Sequence, residues 1–166
     1  MQLAKKYGLL AGLVYIIVGL INLMFELSAA GNMAGILLWA IPFFGTFAIV
    51  YVAVKEFREE NGSLTTGQGV KLGVTIALIA AVLGSVFTLI YTQLIDPEVM
   101  TRQMEIMVET WEDQGMSDDQ IEQARTWSET LMNPFLAIPF TIIWYVIGGL
   151  IKGAISGYML KQDAPV

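Results

Sequence analysis

Four long apolar stretches constrain the fold of this chain more than any other feature of its sequence. They cover residues 7–25, 33–54, 70–95 and 134–160. A helix needs about 20 apolar residues to cross the roughly 30 Å hydrocarbon core of a bilayer. Only helices and closed barrels satisfy their backbone groups in lipid, and these stretches lack the alternation of barrel strands. The sequence therefore predicts an all-α, polytopic membrane protein, a single domain (residues 1–166) with four transmembrane helices.

The first stretch also has features of a secretory signal, since Lys5 and Lys6 precede an apolar run. That run is longer than the apolar core of an ordinary signal peptide, which has about 7–15 residues. No clear cleavage site follows it. We therefore expect the first stretch to remain as an uncleaved span.

The composition narrows the chemistry that the chain can perform. It contains no cysteine and no histidine, which excludes disulfides, thiol nucleophiles, Cys/His zinc sites and Ser-His-Asp triads. The formal net charge of −6 argues against a nucleic-acid partner, which requires a basic face. No spacing typical of a metal or phosphate site is present. We therefore expect no catalytic residues, no metal and no cofactor, and we expect that the protein is not an enzyme.

The distribution of lysine and arginine predicts the orientation in the membrane. Seven of the nine basic residues fall on one side of the four spans, and only Arg102 and Arg125 fall on the other. Basic residues concentrate in cytoplasmic connections. We therefore expect both termini to be cytoplasmic and residues 96–133 to lie on the opposite side of the membrane.

Residues 96–133 form the one long connection, and it is strongly acidic. It holds ten acids and two arginines, a net charge of −8. Asp96-Pro97 is typical of a helix start, Gly115 of a helix end, and Ser117 to Gln120 of a capping box. The pattern predicts an extracytoplasmic hairpin of two short amphipathic helices between the third and fourth spans.

Apolar residues at helical spacing line this predicted hairpin. Either they pack on each other and on the bundle, or they form an outer docking face for a partner. The net charge of −8 disfavours binding to an anionic lipid surface. The residues that we expect in an outer docking face are Met104, Met107, Trp111 and Trp127.

Glycines recur at four-residue steps in the spans. The clearest series is in the fourth span, Gly149, Gly153 and Gly157, and the first span has Gly8 and Gly12. Such steps let two helix backbones approach closely. We expect these glycines to form either a helix-packing surface within the chain or a seam with a partner, which includes a homodimer.

Lys152 is the one charge that lies well inside a predicted span. It either extends its amine to the inner interface or contacts an acid such as Glu56 or a lipid phosphate. No Asp or Glu lies deep in any span, which weighs against an ion-coupled transporter. Lys152 therefore remains a possible lipid or ion-pair contact.

The connection between the second and third spans carries a family resemblance. It contains Lys55-Glu56-Phe57-Arg58, an Asn61-Gly62 turn and Thr66-Gly67-Gln68-Gly69, where Thr66 is the expected cap of the third span; Ile95-Asp96-Pro97-Glu98 follows that span. This pattern resembles the bacterial domain of unknown function 4199 family, found mainly in Bacteroidota. The resemblance implies a four-helix inner-membrane protein with a periplasmic 96–133 segment. It implies no catalytic residues, since the family has no assigned activity.

These features favour a non-enzymatic accessory or scaffolding subunit of the bacterial inner membrane. It would pack with itself, as a homo-oligomer, or with a larger membrane-protein complex in the lipid bilayer. The alternative is a small oligomeric transporter or a lipid-binding membrane protein, which Lys152 and the prolines inside two spans motivate.

Overall fold

The structure, a computed structural model, describes residues 2–25 and 33–162. These residues form helices connected by short turns, and an isolated antiparallel β-bridge joins Leu64 and Gln162. The helices are α1 (Gln2–Phe25), α2 (Met33–Asn61), α3 (Thr66–Ile90), α4 (Val99–Asp113), α5 (Asp118–Met132) and α6 (Pro134–Met159), with a π-helical turn at Tyr91–Ile95 after α3.

Four of these helices, α1, α2, α3 and α6, are long and apolar enough to cross a membrane. They extend past the apolar stretches that predicted them. α1 begins at Gln2, and α2 continues to Asn61 through the polar residues after Val54. Backbone hydrogen bonds continue a helix wherever nothing interrupts them, so helix ends do not follow the ends of the apolar runs.

The start of α1 and the residues that follow α6 lie beside the end of α2 and the α2–α3 turn at one end of the bundle, here called the terminal end. Lys6 Nζ lies 2.9 Å from Glu56 Oε1, and the Tyr7 hydroxyl donates a hydrogen bond to the same carboxylate. Within the turn, the Leu64 N–H donates to the Gln162 carbonyl at 2.8 Å. The opposite end, which carries α4 and α5, is called the hairpin end.

The α2–α3 turn is built by its sequence. Gly62 has a positive φ of +68°, a backbone conformation that residues with a Cβ rarely adopt. The cap of α3 is Thr65, one residue before the expected Thr66. Thr65 forms a capping box with Gln68, whose Oε1 accepts from the Thr65 N–H at 2.8 Å. Thr66 is instead the first helical residue.

Glycines bring α3 and α6 into backbone contact near the terminal end. A Cβ added at Gly69 would lie 2.6 Å from the Gly157 α-carbon, and one added at Gly153 would lie 2.6 Å from the Gly69 carbonyl oxygen. Gly73 and Gly149 meet one turn further along. Only glycine allows two helices to lie this close. The series Gly149, Gly153 and Gly157 thus faces α3 of the same chain.

Gly8 and Gly12 of α1 also face α3. A Cβ added at Gly8 would lie 2.8 Å from the Ile79 Cβ, and one added at Gly12 would lie 2.7 Å from Leu83 Cδ1. α3 is therefore enclosed between α1 and α6. The main apolar core surrounds it in the terminal half of the bundle and includes Ala11, Val50, Val54, Leu64, Ile76 and Ala80.

The close contact of α3 and α6 yields a direct test. Gly153→Ala places a methyl group against the α3 backbone, and overpacking of this kind costs about 1–3 kcal/mol. We expect this variant to lower the melting temperature of the purified protein in detergent. Gly148→Ala is the matched control, because no atom lies within 4 Å of a Cβ added there. Equal melting temperatures for the two variants would contradict the contact.

Candidate functional site

A groove lies at the hairpin end, between the hairpin-side ends of α3 and α6 and the helices α4 and α5. Its volume is about 940 Å³. The buried residues of α6 lie between Gly149 and Gly157, whereas Phe135 near its start is 89% exposed. The groove therefore lies away from the glycine contact, at the level of the predicted membrane surface.

The groove has an apolar lining and an acidic rim. Apolar side chains come from the spanning helices and from both hairpin helices; among them are Leu89, Met100, Met104, Val108, Leu131 and Ile138. Three glutamates of α4, Glu105, Glu109 and Glu112, lie at helical spacing along one side and are exposed. The one cation in the lining, Arg125, lies 2.9 Å from Glu129 Oε1, so that pair is neutral.

The π-helical turn adds polar groups to the groove. Its wide hydrogen bond runs from the Asp96 N–H to the Tyr91 carbonyl at 2.8 Å. π-turns inside helices occur frequently at functional sites because the extra residue re-aims the side chains around it. Here Thr92 and Gln93 belong to the turn and line the groove. The sequence gives no signal for this turn, since the apolar run continues through it.

Asp96 lies two residues before the N-cap position of α4, and its carboxylate contacts both the Arg102 side chain and the backbone at the start of the helix. The cap position is Glu98, and the helix begins at Val99. Asp96 receives two hydrogen bonds from the Arg102 guanidinium, at 3.1 Å and 2.6 Å. This guanidinium holds the pKa of Asp96 below its ordinary value. The pair ties the first turn of α4 to the end of α3.

The four residues expected in an outer docking face differ in their burial and in whether they line the groove. Met104 is buried and lines the groove. Met107 and Trp111 are half-buried and lie outside its lining, and Trp127 is 65% exposed and also lies outside it. The half-buried residues of α5 are Ile121, Ala124, Ser128 and Met132, and Trp127 lies on its exposed side.

A second polar site lies inside the bundle around Lys152. The residue is only 6% exposed, and its Nζ donates a hydrogen bond to Thr46 Oγ1 at 2.6 Å. The ammonium also lies 4.7 Å from the centre of the Phe43 ring. Tyr15 and Tyr145, whose rings meet edge to face at 4.3 Å, line the same small cavity.

Lys152 contacts Thr46 and not Glu56, the acid expected as its partner. Helix side chains lean toward the helix N-terminus, and Lys152 reaches Thr46 near the middle of α2 and does not extend to the terminal end. Glu56, the proposed acidic partner, pairs with Lys6 and Tyr7. A charge held at mid-membrane costs on the order of 3 kcal/mol or more. This cost makes the buried lysine a candidate functional residue.

Tyr15, Thr46 and Tyr145 were not selected as site residues from the sequence. They lie on three different helices, and each alone is an ordinary residue of an apolar span. The sequence feature that points to such residues is Lys152, because a charge inside a span requires polar neighbours. Within the described ranges, no cluster of three acidic side chains could hold a metal ion.

The fold and these sites define the class of protein. Four helices of membrane-spanning length and composition, with a two-helix insertion before the last, indicate a small polytopic membrane protein. Residues 6–162 match the family model described as protein of unknown function, DUF4199, and the chain belongs to that family. No curated protein and no solved structure matches it.

The Asp96–Arg102 pair predicts an acid-sensitive hairpin. The lowered pKa of Asp96 means that the contribution of the pair to stability is present above the ordinary carboxyl value and is lost as the pH falls through the lowered pKa. Asp96→Asn removes this contribution at neutral pH. We expect faster amide hydrogen exchange in the first turn of α4. Asp113→Asn, at the far end of α4, should leave that turn unchanged; a similar increase in both variants would contradict the anchoring role.

Proposed function

We propose that this protein is a non-enzymatic accessory subunit that holds a basic amphipathic helix of a partner membrane protein in the hairpin-end groove. The observation that carries this proposal is the combination of an apolar lining with an acidic rim whose α4 glutamates have no ion-pair partner among the described residues. The apolar lining would contact the apolar face of such a helix, and the acidic rim would contact its basic face.

The apolar lining favours an amphipathic helix. None of the described residues of α5 is buried, so the hairpin leaves apolar surface uncovered on the groove side, for example at Leu131. A helix that lies in such a groove buries apolar residues at positions i, i+3 or i+4, and i+7. Met100 and Met104 suit this role, since methionine side chains adapt to differently shaped partners.

The acidic rim favours basic residues on the partner. Among the described residues, no cation lies within ion-pairing distance of Glu105, Glu109 or Glu112. A ladder of like charges along one helix is destabilising until opposite charges neutralise it. Complementary charges also increase the rate of association and exclude wrong partners.

The same charge argues that the partner is a different protein and not a second copy. Two copies meeting through this region would bring together two segments of net charge −8. The glycine series of α6 already contacts α3 of its own chain. We therefore place the partner contact at the groove and not at Gly149, Gly153 and Gly157.

A designed peptide provides the test. The probe is a helical peptide of leucine and lysine with one apolar and one basic face, and its affinity for the protein in neutral-lipid nanodiscs is measured by fluorescence anisotropy. We expect the triple variant Glu105→Gln, Glu109→Gln, Glu112→Gln to weaken binding about tenfold, since each partly exposed pair contributes up to about 1 kcal/mol. Binding should also weaken with added salt.

The control variant removes the same number of negative charges at positions outside the groove lining. Asp118→Asn, Asp119→Asn, Glu122→Gln removes three exposed charges from α5 that do not line the groove. This variant should bind the peptide like the wild type. Equal losses in both triple variants would show general charge attraction and would contradict the proposal. A wild type that binds the peptide no better than protein-free nanodiscs would also contradict it.

A lipid-binding membrane protein or small oligomeric transporter is the second candidate function. The observation that favours it is the level of the groove, since Leu89, Ala137 and Ile138 of its lining belong to membrane-spanning helices. An acyl chain of the adjacent leaflet could enter at this level. Phospholipid that co-purifies with the wild type and is lost in Leu131→Ser, together with absent peptide binding, would favour this function.

We further propose that the protein lies in the bacterial inner membrane with its terminal end in the cytoplasm and residues 96–133 in the periplasm. The support is the bias of lysine and arginine toward the terminal end. The chain has no cysteine, so single cysteines report orientation directly. We expect Asp119→Cys to react with a membrane-impermeant maleimide in spheroplasts and Glu60→Cys to react only after lysis. The reverse pattern would overturn this orientation.

A further inference from the structure

We propose that Lys152 and the hydroxyl groups around it form a binding site for one small monovalent anion, of the size of fluoride or chloride, within the helix bundle. The proposal is independent of the hairpin-end groove. It is carried by a nearly fully buried cation, its hydrogen-bond partners and an adjacent cavity of the size of a single water molecule.

The hydrogen bonds of Thr46 leave part of the Lys152 ammonium unsatisfied. The Thr46 hydroxyl is 2.6 Å from the Pro42 carbonyl, to which it donates its only hydrogen. Lys152 and Tyr15 therefore act as donors to Thr46 Oγ1, at 2.6 Å and 3.3 Å. An ammonium carries three N–H groups. One binds Thr46 and another faces the Phe43 ring, so the third lacks an acceptor among the described residues.

No described carboxylate neutralises Lys152. The described ion pairs lie at the terminal end or in the hairpin, and none includes this residue. Buried charges in proteins are paired with an opposite charge, since an unpaired one retains the full cost of leaving water. A bound anion would supply that charge.

The cavity beside Lys152 sets the size of the ligand. It measures about 10 Å³ and is lined by Tyr15, Thr46, Tyr145 and Lys152, with Ala11 and Ile76 among its apolar walls. A volume near 10 Å³ accommodates about one water-sized particle. Carboxylate and phosphate groups are too large for this space. The hydroxyl of Tyr145 can add a second donor, since none of the described hydrogen bonds includes it.

A water molecule fits the same space, so the test must separate charge from size. The unfolding temperature of the purified full-length protein in detergent is measured while sodium gluconate is replaced by sodium chloride or fluoride at constant ionic strength. A ligand that binds only the folded state raises this temperature in a saturable manner. We expect saturable stabilisation of the wild type by the small halides and a weaker effect of iodide.

Variants assign the effect to the site. Lys152→Met should abolish the halide response, whereas Lys71→Met, which removes an exposed lysine at the terminal end, should retain it. Tyr145→Phe keeps the ring and removes one donor, so we expect the half-saturating halide concentration to rise about tenfold. This second variant decides the question if Lys152→Met does not fold.

Several results would overturn the proposal. A wild type that responds equally to gluconate and chloride has no small-anion site, and the cavity then holds water. An unchanged halide response in Lys152→Met, or in Tyr145→Phe where the lysine variant does not fold, would place the anion elsewhere. Line broadening of the chloride-35 NMR signal by the wild type and not by Lys152→Met would support the site directly.

Discussion

Between α3 and α6, the backbone of one helix lies directly against the backbone of the other. Gly69 and Gly73 meet Gly149, Gly153 and Gly157 without side chains in between. Apolar side chains gain little from leaving lipid, so van der Waals contact at this distance is the main source of helix association there. The contact holds the two helices together near the terminal end, and the opposite ends of the same two helices line the hairpin-end groove.

The same contact explains why a lysine is buried. Lys152 lies between Gly149 and Gly153, so the turn that brings α6 against α3 carries the lysine side chain into the bundle. There it meets Thr46, whose own hydroxyl is directed to the backbone carbonyl of Pro42. Polar groups in an apolar interior are tolerated when their hydrogen bonds are satisfied. The Lys152 N–H group that lacks an acceptor among the described residues is the one proposed to bind the anion.

Much of the fold follows from sequence alone. The four apolar stretches, the Asn61-Gly62 turn and the two helices between residues 96 and 133 each reflect local rules of length, hydrophobic spacing and capping. These local rules predict the exact first and last residues of a helix less well. Asp96 has the sequence context of an N-cap, but α4 begins three residues later, at Val99, after the π-helical turn. The Asp96 carboxylate also receives two hydrogen bonds from the Arg102 guanidinium, and no local pattern predicts that contact.

The number of spans, the sites where helices can approach closely and the acidic character of the hairpin can be read from the sequence. All three depend on residue type and spacing within one segment. Which helix the glycines face is a property of the tertiary structure. The tertiary structure also brings Tyr15, Thr46 and Tyr145 to Lys152 and places Met104 and Leu131 in the same groove. These arrangements join residues from separate helices. Their geometry depends on how the helices pack, and no local pattern encodes that.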